Sequence, residues 1–416
     1  MKNIWLVLIA TIGGVSTAHG QESRPAVEFG IAEHPGVRLG DAVTLDLLGR
    51  FDLTSVDSAG RDDEPGVEIE RRRIGVSGAI FDVIAFEVER ELEDTDEPWR
   101  DAWVGVRPAK AWLARAGKFK VPFSRAQTTS LAKHAFVNRP LAAEALAPGR
   151  QVGVGVEGEL FDKVLGVEGG WFREAASSEA IAADGQRAGT PIGAVRVGAR
   201  VFRPWLRPLR TVEIAVAATV GQRPESLDGF AGRSYSGEMT FFPEVYVNGR
   251  RLRTGVEVSW SGGPVDLAGE YLRVADERRE QGIRGDDLSE LVADGWHGSA
   301  TWRVFGARRE RDRPLGFAPL EGSAGTFEVV GRIEALSFRS AASLNPAVGP
   351  ALRNPRAAHL VGNADHAVTF GGNWYFSRFG RLQCNAVGER IDDGLRSPVG
   401  SDRRFWTVVT RLQLHL

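Results

Sequence analysis

Residues 151–160 read QVGVGVEGEL, and two incompatible structures compete for them. Gly153, Gly155 and Gly158 spell G-x-G-x-x-G, the turn that brings a pyrophosphate to a helix N-terminus. The same residues also alternate: Val152, Val154, Val156 and Leu160 fall on one face, Gln151, Glu157 and Glu159 on the other. The nucleotide turn must follow a strand and open a helix. Here LAPGR precedes, and FDKVLGVEGGWF follows, with Gly166, Gly169 and Gly170 where the helix would run. Each interior glycine costs a helix ~1 kcal/mol relative to alanine. The stretch therefore reads as a strand with one apolar and one polar face.

The pattern spreads outward from there along the whole chain. Val43, Leu45, Leu47, Phe51 and Leu53 alternate with Thr44, Asp46, Arg50 and Asp52; Ile84, Phe86 and Val88 with Glu87 and Glu89; Val195, Val197 and Val201 with Arg196 and Arg200. Val212 to Val220, Leu252 to Trp260 and the closing RRFWTVVTRLQLHL behave alike. Such alternation is the mark of antiparallel strands with one face buried. Short links at Phe81-Asp82, Phe161-Asp162 and Ser377-Arg378 alternate with long polar ones at 54–66, 174–190, 221–237, 276–290 and 339–363. Sorting of short turns to one end and long loops to the other belongs to outer-membrane barrels. Of seventeen candidate runs, the weakest is EMTFFPEVYV at 238–247, where Pro243 would interrupt a ladder. Assigning it to a loop leaves sixteen strands, the even number that barrels with both termini on one side require.

Composition agrees. The first twenty residues carry Lys2, an apolar run from Ile4 to Ile12 and a small-residue site, Ala18-His19-Gly20, which reads as a cleaved signal peptide. Its removal takes away one charge, Lys2, from 52 basic and 54 acidic residues, leaving a net charge of −3. Near-neutrality offers no electrostatic case for a nucleic-acid partner. One cysteine, Cys384, excludes an internal disulfide. No later run of eighteen apolar residues occurs, so membrane helices are excluded. Fifty glycines and eleven tryptophans suit a large all-β protein. The scattered histidines show no H-E-x-x-H, and no G-x-S-x-G elbow occurs. No catalytic, cofactor or metal residues are expected.

Sixteen strands also decide which face is wet. A barrel that wide cannot be filled by its own side chains and encloses water. The polar face must line the lumen and the valine face must meet lipid. The expected fold is an all-β transmembrane antiparallel barrel over 43–416, preceded by a short periplasmic segment at 21–42 and the signal peptide at 1–20. Trp112, Trp171, Trp260, Trp374 and Trp406 are expected in the girdles at the lipid boundaries. The rival class is a soluble exported β protein that binds saccharide through its tryptophans.

Several runs resemble the phosphate-selective porin O and P family of Gram-negative outer membranes. GKFKVPFSRAQTTS at 117–130 resembles the family's entry into its constriction loop, and PGRQVGV at 148–154 the exit. RRRIGVSG at 71–78, GPVDLAGEYLRV at 263–274, GTFEVVGRIEALSF at 325–338, GGNWYFSRFGRLQCNAVGER at 371–390 and the final TRLQLHL resemble further strands in the expected order. The resemblance implies a homotrimer in the outer membrane, an infolded third loop at 121–150, and passive diffusion of anions such as phosphate or polyphosphate. A general, non-specific porin is the alternative. The chain departs from the family pattern at Arg125-Ala126, at Asn138 and at its terminal Leu416, and it has only six lysines in all.

The expected pore lining is basic. Lys118 and Lys120 are two apart and precede the loop; Arg125, Lys133, Arg139 and Arg150 lie in or beside it. Arg71 and Arg73, Arg196 and Arg200, and Arg251 and Arg253 share faces; Arg253 completes the expected set. Rings of Arg and Lys attract anions, and the guanidinium fork matches phosphate oxygens. Against these loop cations the local sequence sets Glu144 alone. The wall also carries Glu87, Glu89, Glu157, Glu159, Glu168, Glu257 and Glu270, which would pair with arginines.

Overall fold

The computed structural model describes residues 28–31, 35–40, 42–59, 66–93, 98–174, 190–201, 212–227, 230–236, 239–282, 285–306, 325–340, 360, 362–377, 379–393 and 403–416. The expected signal peptide lies outside these residues. Twenty strands follow one another: β1 (Glu28–Ile31), β2 (Pro35–Leu39), β3 (Val43–Ser58), β4 (Val67–Ile80), β5 (Ile84–Glu91), β6 (Trp99–Ala109), β7 (Trp112–Lys120), β8 (Arg150–Leu160), β9 (Leu165–Glu174), β10 (Thr190–Val201), β11 (Val212–Leu227), β12 (Gly232–Arg233), β13 (Thr240–Phe242), β14 (Tyr246–Gly262), β15 (Val265–Arg278), β16 (Leu288–Phe305), β17 (Thr326–Ser340), β18 (Asn363–Tyr375), β19 (Gly380–Ile391) and β20 (Arg404–His415). Leaving aside β1, β2, β12 and β13, sixteen of them form one antiparallel sheet that closes when β20 pairs with β3, from Thr407 opposite Ser58 to His415 opposite Arg50. Among the described residues no helix is long and apolar enough to cross a membrane.

QVGVGVEGEL lies wholly within β8. Val152, Val154 and Val156 are 58%, 54% and 45% exposed on the outer wall. Inside, Arg50, Asp52, Arg251, Arg253, Glu257 and Glu270 are buried. The barrel is inside-out, as sixteen strands require, and a soluble protein with this apolar exterior has no physical basis. The three glycines lie within a strand and open no helix. A side chain at Gly153 would strike the Trp171 carbonyl at 2.3 Å, and one at Gly158 would strike the Trp112 ring at 2.4 Å. They are seats for neighbouring backbone and rings, and more than a smooth wall.

The turn chemistry is as local as expected. Phe81 and Asp82 have φ of 52° and 55°, Asp162 and Lys163 of 52° and 65°, the paired positive values that a tight hairpin needs. The end assignment has two exceptions. The links between β10 and β11 and between β16 and β17 span 202–211 and 306–325, yet fall at the short-turn end. The 238–247 run divides: Thr240–Phe242 is a two-strand loop ornament with Gly232–Arg233, and Tyr246 onward joins β14. Strands reach eighteen residues in β16, longer than lipid demands. Among the sixteen barrel strands β5 is the shortest, with eight.

The segment at 21–42, expected as a short stretch ahead of the barrel, is in part built into the sheet. Its described part forms a hairpin, β1 on β2, and Gly36–Leu39 of β2 pair with Val43–Asp46 of β3. There β2 continues the row of β20, which ends where Leu416 exchanges backbone hydrogen bonds with Gly49. Trp112, Trp260 and Trp374 stand within three residues of the short-turn ends of their strands, and Trp406 near the long-loop end of β20. Trp171 stands three residues from the long-loop end of β9, opposite Val154 of β8.

Candidate pore site

The chain leaves β7 at Lys120 and returns to β8 at Arg150. Between them lie α1 (Arg125–Thr128), a 3-10 turn at Leu131–Lys133 and α2 (Leu141–Leu146). Each short element starts where its sequence dictates. Ser124 Oγ accepts the Gln127 amide at 3.1 Å, Ser130 Oγ accepts that of Ala132 at 3.4 Å, and Pro140 precedes α2. Such brief helices have no independent stability; packing holds them. Val137, Leu141, Ala142 and Leu146 are buried in one cluster with Leu272, Val274, Leu291, Ala293, Leu336 and Phe338 of β15, β16 and β17. These wall residues alternate with outward Tyr271, Trp296 and Ile333, which are 40%, 41% and 51% exposed. The inner face of that wall is therefore apolar at this level.

A second loop shares the cluster. Phe230, Tyr235, Phe241, Phe242 and Val245, between β11 and β14, are buried in it. The Phe242 and Phe338 rings stack with centroids 4.4 Å apart, and Asn138 Nδ2 donates to the Tyr235 carbonyl at 3.0 Å. Phe230 lies under the Arg251 and Arg253 guanidinium groups, 4.2 and 5.6 Å from the ring centroid. Sequence reading made this connection a polar outer loop. Its aromatic residues were visible in EMTFFPEVYV, but nothing local says that they face a second core inside a barrel.

The expected basic residues separate into groups. Arg71 reaches Asp52 at 3.1 Å and Glu70 at 2.5 Å, Arg73 reaches Glu91 at 2.5 Å, and Arg150 reaches Asp101 at 2.6 Å. Arg196 is held between Glu168 and Glu257, each at 2.6 Å; Arg200 and Arg125 meet Glu213 at 3.0 and 2.9 Å. Arg139 meets Glu144 at 3.5 Å and donates to the Ala126 carbonyl at 3.0 Å. Burial pushes its guanidinium down to about 10, against the pull of Glu144, which leaves it charged at neutral pH. Glu144 is thus far from the only acid at the loop. Asp101, Glu213 and Glu257 arrive from distant strands, which spacing along the chain cannot reveal.

Three expectations change. Arg253 is 2% exposed, bound to Glu174 at 2.5 Å and to the Leu146 carbonyl at 3.0 Å, so it supports the loop from behind. Lys133 is exposed and borders neither of the cavities described below. Lys118 and Lys120 do share a row, but it is the row of outward Ala114 and Ala116; the inward row of β7 is Leu113, Arg115 and Phe119. The lysines reach the lumen only because they stand at the upper end of the strand, where Lys120 Nζ donates to the Thr128 carbonyl at 2.8 Å.

Two cavities lie on either side of the first loop. The larger, about 860 Å³, is at the long-loop end and is bordered by Arg71, Arg73, Arg100, Lys118, Lys120, Arg139, Arg150 and Arg233, against Glu70, Glu91, Glu93, Glu144 and Glu244. The smaller, about 460 Å³, is at the short-turn end. Arg107, Lys110, Arg125, Lys163, Arg196 and Arg200 border it, against Glu157, Glu159, Glu168, Glu213 and Glu257. Basic side chains outnumber acidic ones by three in the first and by one in the second. Arg100, Arg107, Lys110, Lys163 and Arg233 were missed. Alternation with Val104 and Val106 could have found Arg107; nothing in the sequence marks Arg233 as a lining residue.

Solved structures with the same fold are outer-membrane barrels. OmpT of Vibrio cholerae, described in a trimer form, is 12% identical, with a TM-score of 0.58 over 90% of this chain and 100% of that one. An anion-selective porin from Comamonas acidovorans is 13% identical, with a TM-score of 0.53 over the same shares. The outer-membrane channel DcaP of Acinetobacter baumannii is 10% identical, with a TM-score of 0.54 over 90% and 98%. No curated protein sequence matches. At these identities the likeness shows the fold. The family model of the phosphate-selective porins O and P matches residues 48–416, which span the barrel from β3 to its last residue: the chain belongs to that porin family and forms an outer-membrane channel.

Proposed function

We propose that this channel passes small anions by passive diffusion, phosphate among them, through the two cavities and past the loop at 121–150, which narrows the passage between them. The observation that carries this reading is the excess of basic over acidic side chains around the outer cavity, eight against five. An ion in a narrow passage responds to charges within a Debye length of ~8 Å and not to the net charge of the whole chain. The family name and the anion selectivity stated for the Comamonas porin support the same reading. We further propose that the working form is a homotrimer exported to the Gram-negative outer membrane after removal of residues 1–20; OmpT of Vibrio cholerae has a described trimer form.

The pairing of most lumen arginines favours a second reading, a general porin with weak charge preference, because an ion-paired guanidinium presents less field to a passing ion. A salt gradient across a planar bilayer separates the two. A reversal potential on the chloride side supports anion passage, and one on the potassium side refutes it. Partial block of chloride current by millimolar phosphate supports phosphate binding; chloride preference without block leaves the general anion porin.

A further inference from the structure

Four buried glutamates stand in one register row of the lumen wall. Glu257 lies opposite Glu270, Glu270 opposite His297, His297 opposite Glu334, Glu334 opposite Ala367, and Ala367 opposite Glu389. They are between 2% and 6% exposed. Each accepts a backbone amide from an infolded loop. Glu257 takes Arg125 N–H at 3.1 Å, Glu270 takes Ala126 N–H at 2.7 Å, Glu334 takes Leu141 N–H at 2.6 Å, and Glu389 takes Tyr235 N–H at 2.6 Å. Three of these amides open α1 or α2, where the helix itself supplies no acceptor. The fourth belongs to the second loop.

We propose that these glutamates are positioning residues: a belt along a single register row that sets the depth of both loops, and so the dimensions of the passage. That the loops bound the passage rests on the function proposed above; that the belt holds the loops does not. A buried donor left without its acceptor is costly. Because the belt grips main chain, the loop side chains remain free to tune selectivity without losing their seat. The register also makes the device specific. A slip by one residue would turn each carboxylate to the lipid.

The test uses the full barrel with Glu270→Gln, Glu270→Leu, Glu389→Gln and Glu389→Leu. Glutamine keeps an acceptor oxygen; leucine of similar size does not. Heat-modified gel mobility establishes that each barrel has closed. Trypsin then reports the first loop at Arg125 and Lys133, and the second at Arg233, while single-channel conductance reports the passage. Each leucine change is expected to speed cleavage of its own loop about tenfold or more, the scale of a buried amide left without its acceptor. The glutamine changes should stay within about threefold of the parent, since an amide oxygen still accepts the bond at reduced strength. Cleavage at the parent rate in both leucine variants overturns the belt, as does equal cleavage of glutamine and leucine variants. Should both leucine barrels fail to close while the glutamine barrels do, the glutamates serve the wall and not the loops, and the proposal falls. Faster cleavage with unchanged conductance keeps the belt and removes the loops from the passage.

Discussion

Replacing Val154 by arginine probes the inside-out wall most directly. Val154 is the fifth of eleven residues in β8, one step from its centre, and half exposed on the outer face. With a rise of ~3.3 Å per residue and a tilt of ~40°, each step changes height by about 2.5 Å. The substitution therefore puts a guanidinium within about 3 Å of the middle of an apolar band ~25 Å tall, where such a change costs ~2–4 kcal/mol. Val152, two steps higher and on the same face, would place the charge about 7–8 Å from the centre, and Val152→Arg should cost about half as much. Glu157→Gln changes the other face. It weakens the pair with Arg115 at 3.0 Å, whose side chains are 21% and 39% exposed, and exposed pairs contribute ~0–1 kcal/mol. Reversible urea unfolding from liposomes, with heat-modified mobility as a check on closure, measures all three. Equal tolerance of Val154→Arg and Glu157→Gln would refute the orientation of the wall, and a cost without depth dependence would refute lipid as its cause.

Three further outcomes follow from the lumen. Deleting 126–146 should raise single-channel conductance, since the segment separates the two cavities; an unchanged value would place the narrowest section elsewhere. Lys118→Glu with Lys120→Glu turns the outer lining from three basic residues in excess to one acidic in excess, so chloride preference in a salt gradient should be lost; if it survives, another section selects. His134 is buried, and its Nε2 lies 2.9 Å from the Ala126 carbonyl; burial first, then Arg139, Lys120 and Arg332, hold its ring well below its ordinary value. A released loop returns it to ~6.5. The released form then binds more protons than the packed form below that pH, so packing loses stability as pH falls through ~6.5. Tryptic or pepsin-type cleavage of the loop should rise accordingly in the parent and much less in His134→Gln; parallel curves would exclude His134 as the cause.

Much of the wall is written in the sequence because its determinants are local. The alternation of Val152, Val154 and Val156 with Glu157 and Glu159 needs only the two-residue period of a strand, and Phe81-Asp82 and Phe161-Asp162 make their own turns. Even the inversion of the wall follows from counting, since sixteen strands enclose water. The lumen is different. Arg150 meets Asp101, Arg125 meets Glu213, and Leu141 binds Glu334 across 193 residues of chain. A charge placed by sequence is only a charge; its partner is chosen by barrel closure, which brings strands from opposite ends of the chain to one level. The same closure turned EMTFFPEVYV from a loop into part of an inner core, and showed that Lys118 and Lys120 reach the cavity from the outward row. Local periodicity made the barrel legible. Long-range register alone decided which of its charges face one another, and which still face the water.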